Sequence, residues 1–467
     1  YKLDLPYSSE KNERVIESFK QTEKDLQELI IEDDTIITDA ADLCFEVLKG
    51  FDPFEILPRH GPGSVATGER SEEKWSFTRK YNCIHKVYPY YSYYFPATDQ
   101  VILEFQRYKS LEKLDFGTAR VVLVPKDSRG PRLISMEPLE FQFIQQGLAR
   151  ALVDHLEKKC HITRRKVNFT DQTINQKLAM YNSVSRKYAT LDLKEASDRV
   201  SLALVQKIFS RRPDVLKALE ATRSHFTELP DGTILPLRKF APMGSALCFP
   251  IEALIFFLLA EVIRKRENIS GTTYVYGDDL IVPTTVVPFL FKSFPDYGLL
   301  FNERKCFYKG YFRESCGNDV FKGITCTPVR MKKILPGSLR DAKLIVSGVD
   351  FSNRLYLRGY WSTADCVKKI LERSISTKVL KSPKESFGGL AYDCFSTRGI
   401  VADGKTRLNK ELQVFECRAP ILFEKTRKRK TLNPYNTLLS NLVNQRQDTY
   451  TVPHTAQIQM RWCYLYG

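Results

Sequence analysis

The stretch YVYGDDLIVP, Tyr274 to Pro283, sets two adjacent acids, Asp278 and Asp279, at the turn of an otherwise apolar hairpin. Gly277 and Asp278 have the composition of a tight turn between two strands, so one reading is that they only close a loop. The other is that they are ligands held at a sheet edge. The choice depends on whether another acid is delivered to the same place.

A second apolar strand carries one. In ATLDL, Ala189 to Leu193, the two-residue period puts Ala189, Leu191 and Leu193 on one face and Thr190 with Asp192 on the other. If this strand lies beside the first strand of the Tyr274 to Pro283 hairpin, opposed Cβ atoms are about 4.5 to 5.5 Å apart, and Asp192 and Asp278 can share metal ions. Ionised carboxylates about 4 Å apart repel by about 4 kcal/mol at an effective dielectric near 20, so the cluster calls for cations, magnesium above all. Two such ions about 3.5 to 4 Å apart can serve an in-line phosphoryl transfer.

The rest of the chain bounds the setting. Its 467 residues are 43% hydrophobic, enough for an extended core or several connected ones. Lys plus Arg number 71 against 55 Asp plus Glu, and the resulting +16 favours a polyanionic partner: RNA, DNA or an acidic membrane surface. Eleven cysteines without a CxxC pair suggest neither a disulfide framework nor a zinc site, and fit a reducing cytoplasm. The chain starts at Tyr1, so an N-terminal piece is expected to be missing. The most apolar run, Ser245 to Ile263, approaches membrane-spanning length, but Pro250, Glu252 and Glu261 interrupt it and a buried helix is expected.

Residues 10 to 50 have helical spacing of Val15, Phe19, Leu26 and Leu29. The glycine-rich PRHGPGSVATGER, Pro58 to Arg70, is a turn first and a functional loop second. YPYYSYYFP, Tyr88 to Pro96, is aromatic enough to fill a core or to stack on unpaired bases, with core packing preferred. RVVLVPKDSRGPRLIS, Arg120 to Ser135, reads as strand, turn, strand with its cations at the turn. After Leu193 a helix is expected with Ser197 as N-cap and Val200, Ala203, Leu204 and Ile208 on one face. Beyond about residue 330 helical patterns dominate, and KTRKRK, Lys425 to Lys430, is a solvated loop or a phosphate-contacting patch.

Taken together, these segments resemble the motifs of RNA-dependent RNA polymerases. DLKEASD, Asp192 to Asp198, is similar to the first palm motif and YGDD to the third. VPKDSRGPRLISMEP resembles the basic fingers motif, MGSALCFPIEALIFF the second palm motif, NERKCF the fourth, and FRESCG with VFKG the fifth. FRESCG, RHGPGSVATGE and the Lys74-Trp75 pair resemble the levivirus class of positive-strand RNA bacteriophage replicases. One departure is Ser245, where well-known phage replicases carry an amide; SALCFPIE also resembles narnavirus and ourmia-like enzymes.

The resemblance implies an α+β right-hand polymerase: fingers over 1–187, a palm with an antiparallel sheet flanked by helices over 188–330, and a helical thumb over 331–467. It implies two magnesium ions, or manganese in their place, on Asp192 and Asp278 with Asp279 as accessory acid. Asp198 and Ser245 would contact the sugar hydroxyls of a ribonucleotide, and the absence of a bulky aromatic there favours RNA over DNA synthesis. Lys126, Arg129 and Arg132 would grip the triphosphate, unless they merely solvate a turn. Gly244 would allow close backbone approach, or simply start a helix. Lys305 would be a general acid for pyrophosphate release, or a structural or solvated lysine. Arg313, Glu314 and Cys316 would support the end of the growing RNA, or pack. Implied partners are an RNA template and product, nucleoside triphosphates, translation elongation factors Tu and Ts and a ribosomal protein, in the cytoplasm of an infected bacterial cell, with no membrane. The rival is a catalytically silent RNA-binding or packaging protein on the same fold.

Overall fold

The computed structural model describes residues 8–70, 73–94, 101–127, 130–338, 341–375, 380–381, 391–392, 406–424 and 456–464. The KTRKRK run lies outside them. The chain divides into two compact units, one of residues 9–124 with 132–327, the other including 125–131 and 328–467.

In the first unit the N-terminal helical pattern resolves into two helices, α1 (Ser9–Glu28) and α2 (Thr35–Val47). Asp34 ends the break between them by accepting the Ile37 N–H at 2.7 Å, an N-cap that restarts the helix. The basic segment forms β1 (Thr118–Asp127) and β2 (Gly130–Met136), of which residues 125–131 are assigned to the second unit; short strands at Phe226–Glu228 and Ile234–Pro236 complete the sheet. Helix α3 (Leu139–Asp154) follows.

The central sheet is built from β3 (Val167–Asn168), then, after α4 (Thr173–Ser185), β4 (Tyr188–Lys194). The expected single helix after β4 is broken: α5 (Ala196–Arg199) is one turn, Val200 is extended, and α6 (Leu202–Ile208) starts anew. Its N-cap is Ser201, which accepts the Leu204 N–H at 3.0 Å; Ser197 lies inside α5. Helix α7 (Cys248–Arg266) is the apolar run, with every residue from Pro250 to Ile263 buried, as expected of a helix apolar all round and enclosed by protein. Among the described residues no helix is long and apolar enough to cross a membrane.

The deciding stretch forms β5 (Tyr274–Tyr276) and β6 (Asp279–Pro283), and β7 (Leu300–Phe301) completes the sheet in the order β7-β4-β6-β5-β3. All pairs are antiparallel except the edge pair β3 with β5. The mixed helices and sheets give the expected α+β class. The fifth motif is a separate meander, β8 (Phe312–Ser315), β9 (Asn318–Phe321) and β10 (Ile324–Thr325), turned by Cys316 and Gly317, both at positive φ.

The two auxiliary motifs join each other. Lys74, nearly fully buried, donates to the Gly61 and Gly63 carbonyls, fixing the glycine-rich turn, and Trp75 packs its ring edge-on to His60 at 4.6 Å. Of the tyrosine run, Tyr88, Tyr90 and Tyr94 are core and Tyr91 is exposed.

In the second unit, α8 (Ala342–Leu357) and α9 (Trp361–Ile375) pack through Ile345, Val349 and Leu371. The helical pattern expected after residue 330 is incomplete. Strands Thr406–Asn409, Val414–Glu424 and Ala456–Tyr464 form an antiparallel sheet, its alternation masked by the Pro420 and charged positions along Val414–Glu424.

Candidate active site

Asp192 leaves a strand buried on both faces, between Leu191 and Leu193, and lies near the end where β4 runs into α5. The strand beside it is β6, the second of the hairpin, not the first. Its register therefore sets Asp279, rather than Asp278, across from Asp192. A period-two pattern fixes which face an acid takes and leaves the neighbouring strand open, which is why the expected Asp192–Asp278 opposition is displaced by one position. Asp278 occupies the turn. There Gly277 has φ +60, and a Cβ on it would fall 1.9 Å from the Phe249 ring, so any other residue would be strained and would have to displace that ring.

The three acids are electrostatically one cluster. Asp278 is exposed at the turn, yet desolvation in the cleft and then the negative charge of Asp192 raise its pKa, against the charges of Lys305 and Arg132. Asp279 is pushed up to about 7, by burial first and by Asp278 second, although the Cys316 N–H donates to its Oδ2 at 2.8 Å. The Cys316–Gly317 turn of the fifth motif thus holds the second acid of the third.

Asp192 is held from its other side by the fourth motif. The Asn302 side-chain amide donates to Asp192 Oδ2 at 3.0 Å, and its backbone N–H donates to the Asp192 carbonyl at 2.9 Å. Lys305 Nζ lies 3.2 Å from the same Oδ2. Burial alone would depress Lys305, but Asp192, Glu314 and Asp278 outweigh it and raise its pKa. Lys305 is therefore placed as a counter-ion to the acids. Among the described residues no group of three or more His, Cys, Asp or Glu already converges to hold a metal. Asp192 and Asp279 each accept a hydrogen bond on one carboxylate oxygen.

Asp198 lies six residues after Asp192, on α5, where Lys239 Nζ donates to its Oδ1 at 2.9 Å. Gly244 has φ +125, and a Cβ there would meet the Ser135 carbonyl oxygen at 2.0 Å; the close approach is to β2, whose Ser135 N–H donates to Met243 O at 2.8 Å. Ser245 is buried and precedes α7, which starts at Cys248; its hydroxyl accepts the Leu247 N–H at 3.3 Å. Of the basic turn, Arg132 is exposed and its charge acts on Asp278. Lys126 is exposed on β1 in the second unit, and Arg129 lies outside the described residues. Arg313 is fully buried, donating to the carbonyls of Tyr188 at 2.7 Å, Gly310 at 3.2 Å and Phe312 at 2.6 Å, which makes it a strut between β8 and β4.

Sequence reasoning missed four contributors: Asn302, Lys239, the Cys316 backbone and Glu252. Glu252, buried on α7, has its pKa raised well above the ordinary value by burial and then by Asp278 and Asp198. The one available signal was a glutamate inside an apolar helix, which is costly unless neutral or paired.

The paired strands β4 and β6 and the turn before β6 thus bring Asp192, Asp278 and Asp279 into one acidic cluster, with the charges of Lys305 and Arg132 acting on it. The family described as RNA replicase, beta-chain, matches residues 8–461, and the chain belongs to it. It is 34% identical over 301 residues to the RNA-directed RNA polymerase subunit beta of Qbeta virus (strain MX1), covering 62% of this chain and 48% of the relative. It is 36% identical over 265 residues to that of Escherichia virus Qbeta, covering 56% and 42%. The RNA-directed RNA polymerase beta chain of Escherichia phage MS2 is 32% identical over 213 residues, covering 46% and 37%. The matches thus span about half the length of these relatives or less.

Proposed function

We propose that this chain is a viral RNA replicase catalytic subunit, extending an RNA 3′ end on an RNA template inside an infected bacterial cell. One observation carries the reading: β4, the Tyr276–Asp279 turn and β6 gather Asp192, Asp278 and Asp279 into a coupled cluster with the charge of Arg132 turned on it. The first unit would supply palm and most of the fingers, and the helices of the second the thumb.

The donor chemistry fits magnesium. Oxygen donors are what this hard cation takes, and a bound cation would offset the burial and the neighbouring carboxylate that raise the pKa values of Asp278 and Asp279. Asp192, Asp278 and Asp279 would hold it, and when bound it supplies charge neutralisation to a nucleotide's phosphates and to an attacking hydroxyl. The chain's own groups do the rest. Asn302 and Cys316 fix the acids' orientation, Arg132 offers a cation to the triphosphate, and Asp198 presents its carboxylate to the sugar hydroxyls. Elongation factors Tu and Ts and a ribosomal protein are proposed as host partners.

Incorporation of labelled ribonucleotides on an RNA template with magnesium is the test. Activity in the wild type that Asp278→Asn abolishes is the expected result. A purified chain with its co-purifying partners that binds RNA but never incorporates would instead favour the silent packaging protein.

A further inference from the structure

Lys239 is wholly buried, a costly place for an ammonium unless its partners are fixed. Its Nζ lies 2.9 Å from Asp198 Oδ1, 3.2 Å from Glu23 Oε1 on α1, and 3.5 Å from the centroid of the Phe19 ring. The backbone carrying it is locked as well. Buried Arg223 donates to the carbonyls of Leu237 at 2.9 Å, Lys239 at 3.0 Å and Phe240 at 3.1 Å. The Leu202 N–H donates to Arg238 O and the Phe240 N–H to Val200 O, so this segment is zipped to the residues just after Asp198. The Glu23 carboxylate in turn accepts the Arg238 N–H at 2.5 Å.

Asp198, by contrast, keeps its side chain 25% exposed while one of its oxygens is committed to the lysine. We infer that Lys239 is the positioning residue for Asp198: held by α1 and by Arg223, it fixes that carboxylate so that the remaining oxygen meets the ribose hydroxyl, and it thereby sets the choice of ribo- over deoxyribonucleotide. This rests on the polymerase reading above. It also gives α1 a part in substrate choice, since Phe19 and Glu23 hold the amine from behind. A freely rotating Asp198 would accept a hydroxyl less selectively, because discrimination requires a polar group that goes unpaired when the hydroxyl is missing.

The test compares kcat/KM for GTP with that for 2′-deoxy-GTP on an RNA template, in the full chain with its co-purifying partners. Lys239→Met is expected to reduce the ribo-to-deoxy ratio by roughly tenfold, mainly through KM for GTP. A merely structural role would lower the active fraction, scaling both substrates alike and leaving the ratio unmoved. Because Lys239→Met strands the Glu23 charge, the double variant Glu23→Gln with Lys239→Met is made in parallel; it removes both charges and is expected to show the same loss of discrimination. A wild-type ratio in either variant overturns the positioning role while leaving the replicase reading intact. A wild type that incorporates neither nucleotide overturns both.

Discussion

Asp279 faces Asp192 across the antiparallel pair of β6 and β4, while Asp278, one residue earlier, stands in the turn. The two neighbouring acids of the hairpin therefore have different jobs. Asp279 is tied to the Cys316 N–H, whereas among the described residues no backbone group of another segment donates to Asp278. Replacing Asp192 or Asp278 by Asn should reduce nucleotide incorporation by about a thousandfold or more, and Asp279→Asn by a smaller factor, about ten- to a hundredfold. Equal losses from Asp278→Asn and Asp279→Asn, in variants that melt like the wild type, would refute this division.

Crowded carboxyls make stability depend on pH. Asp279, Glu137 and Glu140 are each pushed up to about 7, burial being the first cause in all three. A carboxyl whose folded pKa lies above its unfolded value of about 4 contributes stability that is full below about pH 4 and is lost as pH rises through about 7. Each shift is worth at most about 4 kcal/mol. Without divalent ions the melting temperature should fall between pH 5 and pH 8, and Asp279→Asn should flatten part of that fall. Magnesium should raise the melting temperature more at pH 8 than at pH 5, and less so in Asp279→Asn. A magnesium shift indifferent to pH would count against these acids as its ligands.

How much of this was legible beforehand follows from what a linear pattern encodes. Strand periodicity gave the faces of Asp192 and the hairpin, and an apolar helix interrupted by Glu252 and Glu261 was readable as buried. The neighbour of β4 was not readable, because either hairpin strand satisfies the same alternation. Nor was the break at Val200, where Ser201 out-competes Ser197 as a cap by restarting the helix against the Arg238–Phe240 segment. Lys239 and Asn302 look like any other polar residues in a basic chain; only the fold brings them to Asp198 and Asp192.

Asn302 should prove more important than its surface-like sequence suggests. Its amide is a direct donor to Asp192 Oδ2, alongside the Lys305 ammonium. Asn302→Ala removes one hydrogen bond to a charged acceptor, worth about 1.5 to 3 kcal/mol, and keeps the backbone bond to the Asp192 carbonyl. Incorporation should drop by about tenfold or more, with kcat falling and the KM for nucleotide little changed. An unaltered kcat would show that Asp192 needs no such restraint.

Arg313 was a candidate for RNA support, and its burial recasts it. Its three backbone acceptors lie on β4, on β8 and in the turn just before β8, so Arg313→Met should leave buried carbonyls unpaired and destabilise by about 3 kcal/mol in urea unfolding. A lysine has one point of charge where the guanidinium has a fork, so Arg313→Lys should recover less than half of that. A loss below about 1 kcal/mol for Arg313→Met would mean that the strut is dispensable.

Two glycines separate backbone strain from obstruction. Gly317 has φ +70 with open space where a Cβ would go, so Gly317→Ala should cost only about 1 kcal/mol, the penalty of a left-handed alanine. Gly244 has φ +125, and its added Cβ would strike the Ser135 carbonyl oxygen at 2.0 Å, a backbone atom that no rotamer change can move aside. Relief requires β2 to part from the Met243 carbonyl, which shifts Arg132 at one end and the Ser245 turn at the other. Gly244→Ala should therefore destabilise by about 3 kcal/mol or more and abolish incorporation even in the fraction that stays folded. Chemical denaturation beside an incorporation assay checks both halves, and a Gly244→Ala variant as stable and active as Gly317→Ala would show that β2 and the Ser245 turn move independently.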